Sequence, residues 1–307
     1  MSHAGSNGRS SVEVQLSSAR GVRSKGRGGG RGGARGGERS GARARSGSAS
    51  KQRSGGEISA GSVDAGPDKV FASPRARPED FSFNKQVTAV FDDMLDRSVP
   101  LYQEIQRMVA ELVVDFAQPG TNVYDLGCST CNPFLNIDKL MAPDADVRFV
   151  GVDDAPEMLE KARTKLAAAK FRRPVSLEEG DLNAGVQISN ASVVMLVLTL
   201  QFIRPLYRER LVQSIYRGMQ DNGCLIVVEK VLGEHSTFNR LFIKHYYEMK
   251  MRNGYSELEI AQKREALENV LVPYRLEENK ELLRAAGFRH VDVFFKWYNF
   301  CGLIALK

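Results

Sequence analysis

The sequence predicts an α/β fold in which a doubly wound, mostly parallel sheet ends in an antiparallel strand. From residue 121 onward, short apolar runs alternate with amphipathic stretches, which is typical of βαβ units. The run at residues 193–200 is almost wholly apolar, as expected for a strand that is covered on both faces. The last two runs, residues 290–298 and 300–306, are joined too tightly for a crossover, so they must pair antiparallel.

Hydrophobic periodicity assigns the remaining elements in order. Apolar residues at helical spacing over 81–95 and 105–113 predict two helices that cap the ligand end of the sheet. Ser256 with Glu259 forms a capping-box pattern at the start of a helix in an inserted helical segment. We expect strands at 122–126, 147–153, 175–180, 193–200 and 224–230, and further helices at 134–141, 155–169, 205–218, 236–251, 256–270 and 277–285.

Charge is unevenly distributed along the 307 residues, of which 42% are hydrophobic and 26% charged. Residues 1–57 contain twelve Lys or Arg and three acidic residues, whereas the remainder contains 31 basic and 34 acidic residues. The net charge of +6 therefore comes from the N-terminal segment. Because the remainder is slightly acidic, we do not expect direct, stable nucleic-acid binding by the folded domain.

Residues 1–78 are rich in Gly, Ser, Arg and Ala, and include the run RGGGRGGARGG at 27–37. Such a segment buries too little apolar surface to offset its ordering entropy, so we predict a disordered extension ahead of one folded domain at 79–307. Arg-Gly tracts bind RNA phosphates, but base stacking is unavailable because no aromatic residue precedes Phe71. RNA contact, an organelle transit peptide and a passive extension all remain open.

Several classes of protein are disfavoured. Four cysteines are too few for a disulfide scaffold, and the single C-x-x-C pair at Cys128 and Cys131 lacks the second pair or the thioredoxin-like context of a zinc or redox site. We therefore expect no metal. No apolar run reaches the ~20 residues that cross a bilayer, and no secretory signal is visible, so we expect a soluble, cytoplasmic protein.

The stretch NVYDLGCSTCNP at residues 122–133 is the candidate ligand-binding turn. Its strand ends in Gly127, which permits a sharp turn and close approach of a ligand. Asn132 and Pro133 are expected as the N-cap and first residue of the next helix, whose N-terminus favours anionic groups. Because only one glycine is present, the turn indicates a nucleotide-like ligand without specifying which one, and an ordinary strand–turn–helix stays an alternative.

Two acids, Asp153 and Asp154, end the second predicted strand about 25 residues after the turn. An acid in this position is well placed to accept hydrogen bonds from ribose hydroxyls. Helix capping is the alternative, since Asp is a good N-cap. Both hold together if Asp153 binds ribose and Asp154 lies near the cap.

From about residue 83 onward the chain resembles the carboxy-S-adenosyl-L-methionine synthase family, a branch of the class I methyltransferase (Rossmann-like) fold. The resemblance rests on RSVPLY at 97–102, YDLGCS at 124–129, LTLQF at 198–202 and YNF at 298–300. Its most specific part is the long run NGYSELEIAQKREALEN at 253–269.

The resemblance implies a reaction other than methyl transfer. The family uses S-adenosyl-L-methionine (SAM) and prephenate, which loses carbon dioxide to become phenylpyruvate. The sulfonium methyl is deprotonated to an ylide that captures the carbon dioxide, and the sulfonium stabilises the neighbouring carbanion. The product, carboxy-SAM, then serves modification of the wobble uridine of certain transfer RNAs to its 5-oxyacetyl form. The family is typically homodimeric, with the segment around 236–270 near the interface.

The resemblance also implies the site residues. Arg264 is the candidate catalytic residue that holds the new carboxylate, since a guanidinium binds carboxylates bidentately; a surface arginine is the alternative. The cofactor-binding residues implied by position are Tyr102, Gly127, Cys128, Ser129, Asp153, Asp154, Asp181, Leu182 and Val197.

Departures from the family pattern leave rival functions open. Val197 stands where the family usually has an Asn, Asp154 also replaces an Asn, and residues 130–134 replace a small-residue continuation. The rivals are an ordinary SAM-dependent methyltransferase acting on tRNA or a small molecule, and a non-enzymatic cofactor-binding relic with an RNA-binding tail.

Overall fold

The structure is a computed structural model that describes residues 66–74 and 80–307. Seven strands form one sheet in the order β3-β2-β1-β4-β5-β7-β6. Strands β1 to β5 are parallel, whereas β7 runs antiparallel to both of its neighbours, as predicted. The strands are β1 (Thr121–Leu126), β2 (Val147–Asp153), β3 (Val175–Glu179), β4 (Ala191–Val197), β5 (Met219–Lys230), β6 (His290–Trp297) and β7 (Phe300–Leu306).

Eight α-helices lie within the part of the chain that the structure describes, and a short 3₁₀ helix (Leu200–Phe202) follows β4. They are α1 (Lys85–Ser98), α2 (Tyr102–Phe116), α3 (Asn132–Leu140), α4 (Pro156–Ala168), α5 (Pro205–Gly218), α6 (Ser236–Arg252), α7 (Glu257–Leu267) and α8 (Leu276–Ala286). Among these described helices, none is long and apolar enough to cross a bilayer.

Side-chain alternation along the central strands divides the core between the two faces of the sheet. On one face, Val123 and Met195 pack with α2 and α3 through residues such as Val109 and Phe134. The other face packs on α5 and α8, with Tyr124, Leu126, Val194, Leu196, Leu211 and Leu283. Residues at the strand ends keep this alternation, so Asp125, Val197 and Lys230 share the α2 face of the sheet.

Local chemistry explains where several helices begin and end. The side chain of Asn84 accepts hydrogen bonds from the backbone N–H groups of Gln86 and Val87, so α1 begins at Lys85 rather than at residue 81. The capping box of Ser256 and Glu259 is present, as predicted. Gly287 ends α8 with φ 118°, a conformation that favours glycine.

The predicted cap of α3 is wrong. Cys131, at φ 58°, is the N-cap residue, and Asn132 is already helical. The Asn132 side chain is used elsewhere: its carbonyl oxygen, the atom that would cap a helix, accepts from the Lys165 ammonium, and its amide nitrogen donates to Asp92 and to the Tyr102 hydroxyl.

Most of the predicted disordered extension at 1–78 lies outside the described residues, so the prediction of disorder there stays a prediction. Within 66–74, however, Asp68, Val70 and Phe71 are buried. Val70 and Phe71 belong to a small apolar cluster with α1, α4 and α7. Residues 66–74 pack on the domain because Val70 and Phe71 bury apolar surface there.

Candidate functional site

A cavity of about 670 Å³ lies at the carboxyl ends of β1, β2, β4 and β5. The inner face of α1, the start of α2 and the end of α7 cover it, as expected of a helical cap. In open α/β sheets this end of the strands holds the ligand, because the strand order reverses there and the connecting loops diverge. The turn that the sequence identifies as a candidate ligand site therefore lies on this cavity.

The turn after β1 is tightly wound. Gly127 has φ 77°, and Ser129 and Cys131 also adopt left-handed backbone at φ 51° and 58°. Backbone N–H groups of Gly127 and Cys128 both donate to the Val152 carbonyl, at 2.7 and 3.0 Å. These bonds fix the turn against β2 and hold Gly127, Cys128 and Ser129 on the cavity wall.

Asp153 holds the same turn from the end of β2. One carboxylate oxygen accepts from the Ser129 N–H at 2.8 Å, and the other accepts from the Ala155 N–H at 3.1 Å. Neither Asp153 nor Asp154 supplies the N-cap of α4, which is Ala155 without a side-chain bond, so the capping alternative is not observed. Asp154 is exposed on the cavity wall.

Four acids gather at this end of the cavity. Asp125 on β1 is 1% exposed, and neither of its carboxyl oxygens has a hydrogen-bond partner among the described residues. Burial and the nearby charge of Asp153 raise the pKa of Asp125 to about 8. Burial and the charge of Asp181 likewise raise the pKa of Asp154. An unpaired buried carboxyl fits a ligand that carries a cation, such as the ammonium or sulfonium of SAM.

Tyr102 lies in the cavity wall beneath a polar network. Its hydroxyl accepts from the Asn132 amide at 3.1 Å, and burial raises its pKa, so the phenol stays neutral. The Lys165 ammonium donates to Asp92 and Thr130 and also bonds the Asn132 carbonyl oxygen. The loop that departs from the family pattern is thus held by contacts of its own.

Val197 lines the cavity with a side chain that cannot hydrogen-bond. Gln106 of α2 lines it as well, is 2% exposed, and has no hydrogen-bond partner for either amide atom within the described residues. Both side chains lie on the α2 side of the sheet. Gln106 is not predictable as a site residue from the sequence, because a lone polar residue in an amphipathic helix carries no recognisable signal.

The predicted residues do not all meet in one place. Nine of the ten, all except Arg264, line the cavity. Arg264 lies on the exposed side of α7 and does not reach the cavity of its own chain, whereas its neighbour Lys263 is buried and lines it. Adjacent helical residues point about 100° apart, so only one of the two can face inward.

Lys230 is a second cavity cation that the sequence analysis missed. It ends β5, and the strand's alternation, which also places Val228 on the α2 face, was the available signal. The described residues contain no group of three or more His, Cys, Asp or Glu that could hold a metal ion, and all four cysteines are free and buried.

Comparison with known proteins identifies the fold and the family. Residues 123–223 match the family model described as a methyltransferase domain. A solved structure of an O-methyltransferase family protein from Burkholderia thailandensis aligns with a TM-score of 0.55 at 18% identity, covering 72% of this chain and 60% of that one. This likeness establishes the class I methyltransferase fold.

Curated relatives are much closer in sequence. The carboxy-S-adenosyl-L-methionine synthase of Methylococcus capsulatus is 57% identical over 240 residues, covering 78% of this chain and 99% of the relative. The enzyme of the same name from Desulfotalea psychrophila is 43% identical and is covered to 97%. Identity at this level over nearly the whole relative establishes the family. The chain therefore belongs to the carboxy-S-adenosyl-L-methionine synthase family, on the class I methyltransferase fold.

Proposed function

We propose that the protein converts SAM and prephenate into carboxy-SAM and phenylpyruvate, for modification of tRNA wobble uridine to its 5-oxyacetyl form. The observation that carries the proposal is the 57% identity to a carboxy-SAM synthase over 99% of that enzyme's length. The cavity supports it, because the residues carried over from the family pattern, Arg264 excepted, line one cavity. We place the reaction in the cytoplasm and assign it no metal.

Residues at different strand ends would bind different parts of SAM. The acids at the ends of β1 and β2 and the turn at Gly127 would hold the cationic amino-acid and ribose parts of SAM. Asp181 and Leu182, after β3, would flank the adenine. When bound, SAM supplies a methyl group acidified by its sulfonium. The cap helices α1 and α2 exclude water and keep released carbon dioxide beside that methyl group.

The overall reaction balances without an external oxidant or reductant. In prephenate the bonds from the ring to its carboxyl group and to its hydroxyl break, and a new bond joins the carboxyl carbon to the SAM methyl carbon. The methyl proton and the released hydroxide leave as water. Because carbon dioxide moves between two substrates in one cavity, an enclosed site is required more than a strong acid or base.

A mass measurement separates this proposal from its nearest rival, ordinary methyl transfer, which the methyltransferase domain match keeps open. The purified protein is incubated with SAM and prephenate, and the mass of the bound nucleoside is measured by mass spectrometry. We expect a SAM derivative heavier by the mass of carbon dioxide, together with phenylpyruvate. Recovery of unchanged SAM or its demethylated product alone would contradict carboxylation.

We further propose a homodimer in which Arg264 reaches the cavity of the second copy. Three observations support this proposal: Arg264 is exposed, it sits beside the cavity-lining Lys263, and α6 carries exposed apolar side chains at Phe238 and Leu241, 54% and 44% exposed. Arg264→Ala should abolish carboxylation while SAM binding persists. Carboxylation at the parent rate would remove Arg264 from the mechanism.

Complementation tests the transfer of Arg264 between subunits. Arg264→Ala chains have an intact cavity, and Asp153→Asn chains have an intact arginine. If each arginine serves the partner's cavity, mixed dimers regain one working site, and random exchange restores about a quarter of the parent activity. No recovery in dimers that demonstrably exchange would mean that Arg264 does not act across the interface.

A further inference from the structure

The cavity has an acidic end and a basic end. Its acidic end consists of Asp125, Asp153, Asp154 and Asp181, at the ends of β1, β2 and β3. Its basic end consists of Lys230, at the end of β5, and Lys263 on α7. Strands β1 and β5 are separated only by β4, so the strand ends that carry Asp125 and Lys230 lie about 10 Å apart, and the ends of β2 and β3 lie farther away. One cavity thus offers opposite charges at a spacing that suits two ligands in contact.

The Lys230 ammonium has no ion pair or hydrogen bond within the described residues. The ammonium makes a cation–π contact with Tyr246, in which the nitrogen lies 4.7 Å from the ring centroid. Burial lowers the pKa of Lys230 to about 8, which leaves it mostly cationic at neutral pH. Lys230 is partly buried, and a cation withdrawn from water without a counter-charge is costly unless a ligand supplies the anion.

Two further lysines strengthen the field at this end. The Lys263 ammonium donates to the Ser98 hydroxyl at 3.2 Å and lies 3.9 Å from the buried Asp68 carboxylate. Lys250, which is 4% exposed, lies close enough for repulsion by Lys263 and Lys230 to add to burial in lowering its pKa to about 7.

The surrounding carboxylates do not neutralise these three lysines. Asp93 pairs with Arg97 at 3.2 Å. Glu259 accepts from the Ser256 backbone and hydroxyl, both at 2.7 Å, as part of the α7 cap. Asp68 also accepts from the Tyr255 hydroxyl at 2.6 Å. Among the described residues, four cations, the three lysines and Arg97, face three carboxylates, so the basic end retains one positive charge in excess. Lys230 itself has no carboxylate partner among them, since burial alone shifts its pKa.

We propose that Lys230, together with Lys263, binds a carboxylate of the second substrate. The chemical class is a small mono- or dicarboxylate, and its identification as prephenate rests on the proposed function. With SAM at the acidic end, the carboxylate donor would lie beside the sulfonium methyl group, above the end of β4. The role differs from that of Arg264, which would hold the carboxylate of the product.

The test measures binding of a stable monocarboxylate without turnover. Calorimetric titration uses phenylpyruvate as the probe, on the full-length protein saturated with S-adenosylhomocysteine. Lys230→Met keeps the side-chain length and removes the charge, Lys230→Arg keeps the charge, and Lys139→Met is the matched control at an exposed lysine of α3.

We expect Lys230→Met to raise the Kd of phenylpyruvate at least tenfold, with Lys230→Arg recovering much of the loss and Lys139→Met within twofold of the parent. The Kd of S-adenosylhomocysteine should stay within twofold. The ligand-free Lys230→Met protein should melt no lower than the parent, because an unpaired buried charge has been removed. A merely structural lysine would lower the melting temperature and leave the probe's Kd unchanged.

The inference is overturned if the parent protein binds no phenylpyruvate at millimolar concentration, or if Lys230→Met changes its Kd less than twofold. Its failure is distinguishable from failure of the proposed function. A protein that binds the probe through Lys230 but forms no carboxylated product supports the carboxylate subsite and refutes carboxylation. If the Lys230→Met protein forms carboxylated product with an unchanged KM for prephenate, that result supports carboxylation and refutes the carboxylate subsite.

Discussion

Gly127→Ala is the perturbation that most directly tests the geometry of the ligand-binding turn. Gly127 has φ 77°, where an L-residue is strained. A Cβ placed there would lie 2.4 Å from the Thr199 Oγ1 atom and 2.5 Å from its Cγ2 atom. The alanine therefore meets two independent penalties, one from the backbone and one from overlap with Thr199.

The two penalties have different expected sizes. Left-handed backbone costs an L-residue about 1–2 kcal/mol. Overpacking by one methyl group costs about 1–3 kcal/mol. Their sum predicts that Gly127→Ala lowers the free energy of unfolding by about 2–5 kcal/mol, which corresponds to a fall of about 4–20 °C in Tm for a domain of this size.

Two further variants separate these penalties. Gly120 has a similar φ of 73°, and its nearest atom to an added Cβ is 3.9 Å away, so Gly120→Ala reports the backbone cost alone. Thr199→Ala removes the two closest atoms and leaves only its Cβ, at 3.0 Å. The double variant with Gly127→Ala should therefore recover about 1–3 kcal/mol, measured as the coupling energy of a double-mutant cycle. Chemical denaturation supplies the stabilities, and calorimetric titration supplies SAM affinities, which Gly127→Ala should weaken and Gly120→Ala should not.

Equal stabilities of the Gly127→Ala and Gly120→Ala proteins would refute the steric part of the reasoning. So would a coupling energy below about 0.5 kcal/mol between Gly127→Ala and Thr199→Ala, since that is the limit of ordinary additivity. A Gly127→Ala protein that binds SAM as tightly as the parent would show that the turn does not position the ligand.

Three further predictions concern the cavity wall. Asp153→Asn should weaken SAM binding by about 10–100-fold in calorimetric titration, since a charged acceptor of the Ser129 N–H and of the ligand becomes neutral; a change below threefold would contradict its role. Gln106→Leu, which removes an unpartnered amide, should weaken SAM binding about tenfold at unchanged or higher Tm, whereas a lower Tm with unchanged affinity would mean that the amide is structural. Lys230 and Lys263 have pKa values lowered to about 8, so their charge is present below pH 8 and lost as the pH rises; KM for prephenate should therefore increase about tenfold per lysine between pH 7 and pH 9, and a flat profile would exclude both from binding.

Much of the fold was predictable from local pattern. Mostly apolar runs marked β1, β2 and β4, because a strand covered on both faces has few positions that meet water. The capping box at Ser256 and the glycine at 287 marked helix ends through hydrogen bonds that form within a few residues. The cap of α3 was not predictable in this way, because Asn132 bonds to Asp92, forty residues away in the chain.

The sequence by itself determined the family and the position of a candidate ligand-binding turn, since these depend on residue types at short spacing. It did not determine how the charges are arranged around the ligand. Lys230 and Asp125 are 105 positions apart, and only the parallel strand order brings them to opposite ends of one cavity. Likewise, only the helical phase of α7 decides that Lys263 faces inward while Arg264 faces outward, because side-chain direction depends on how α7 packs in the apolar cluster with α1 and α4.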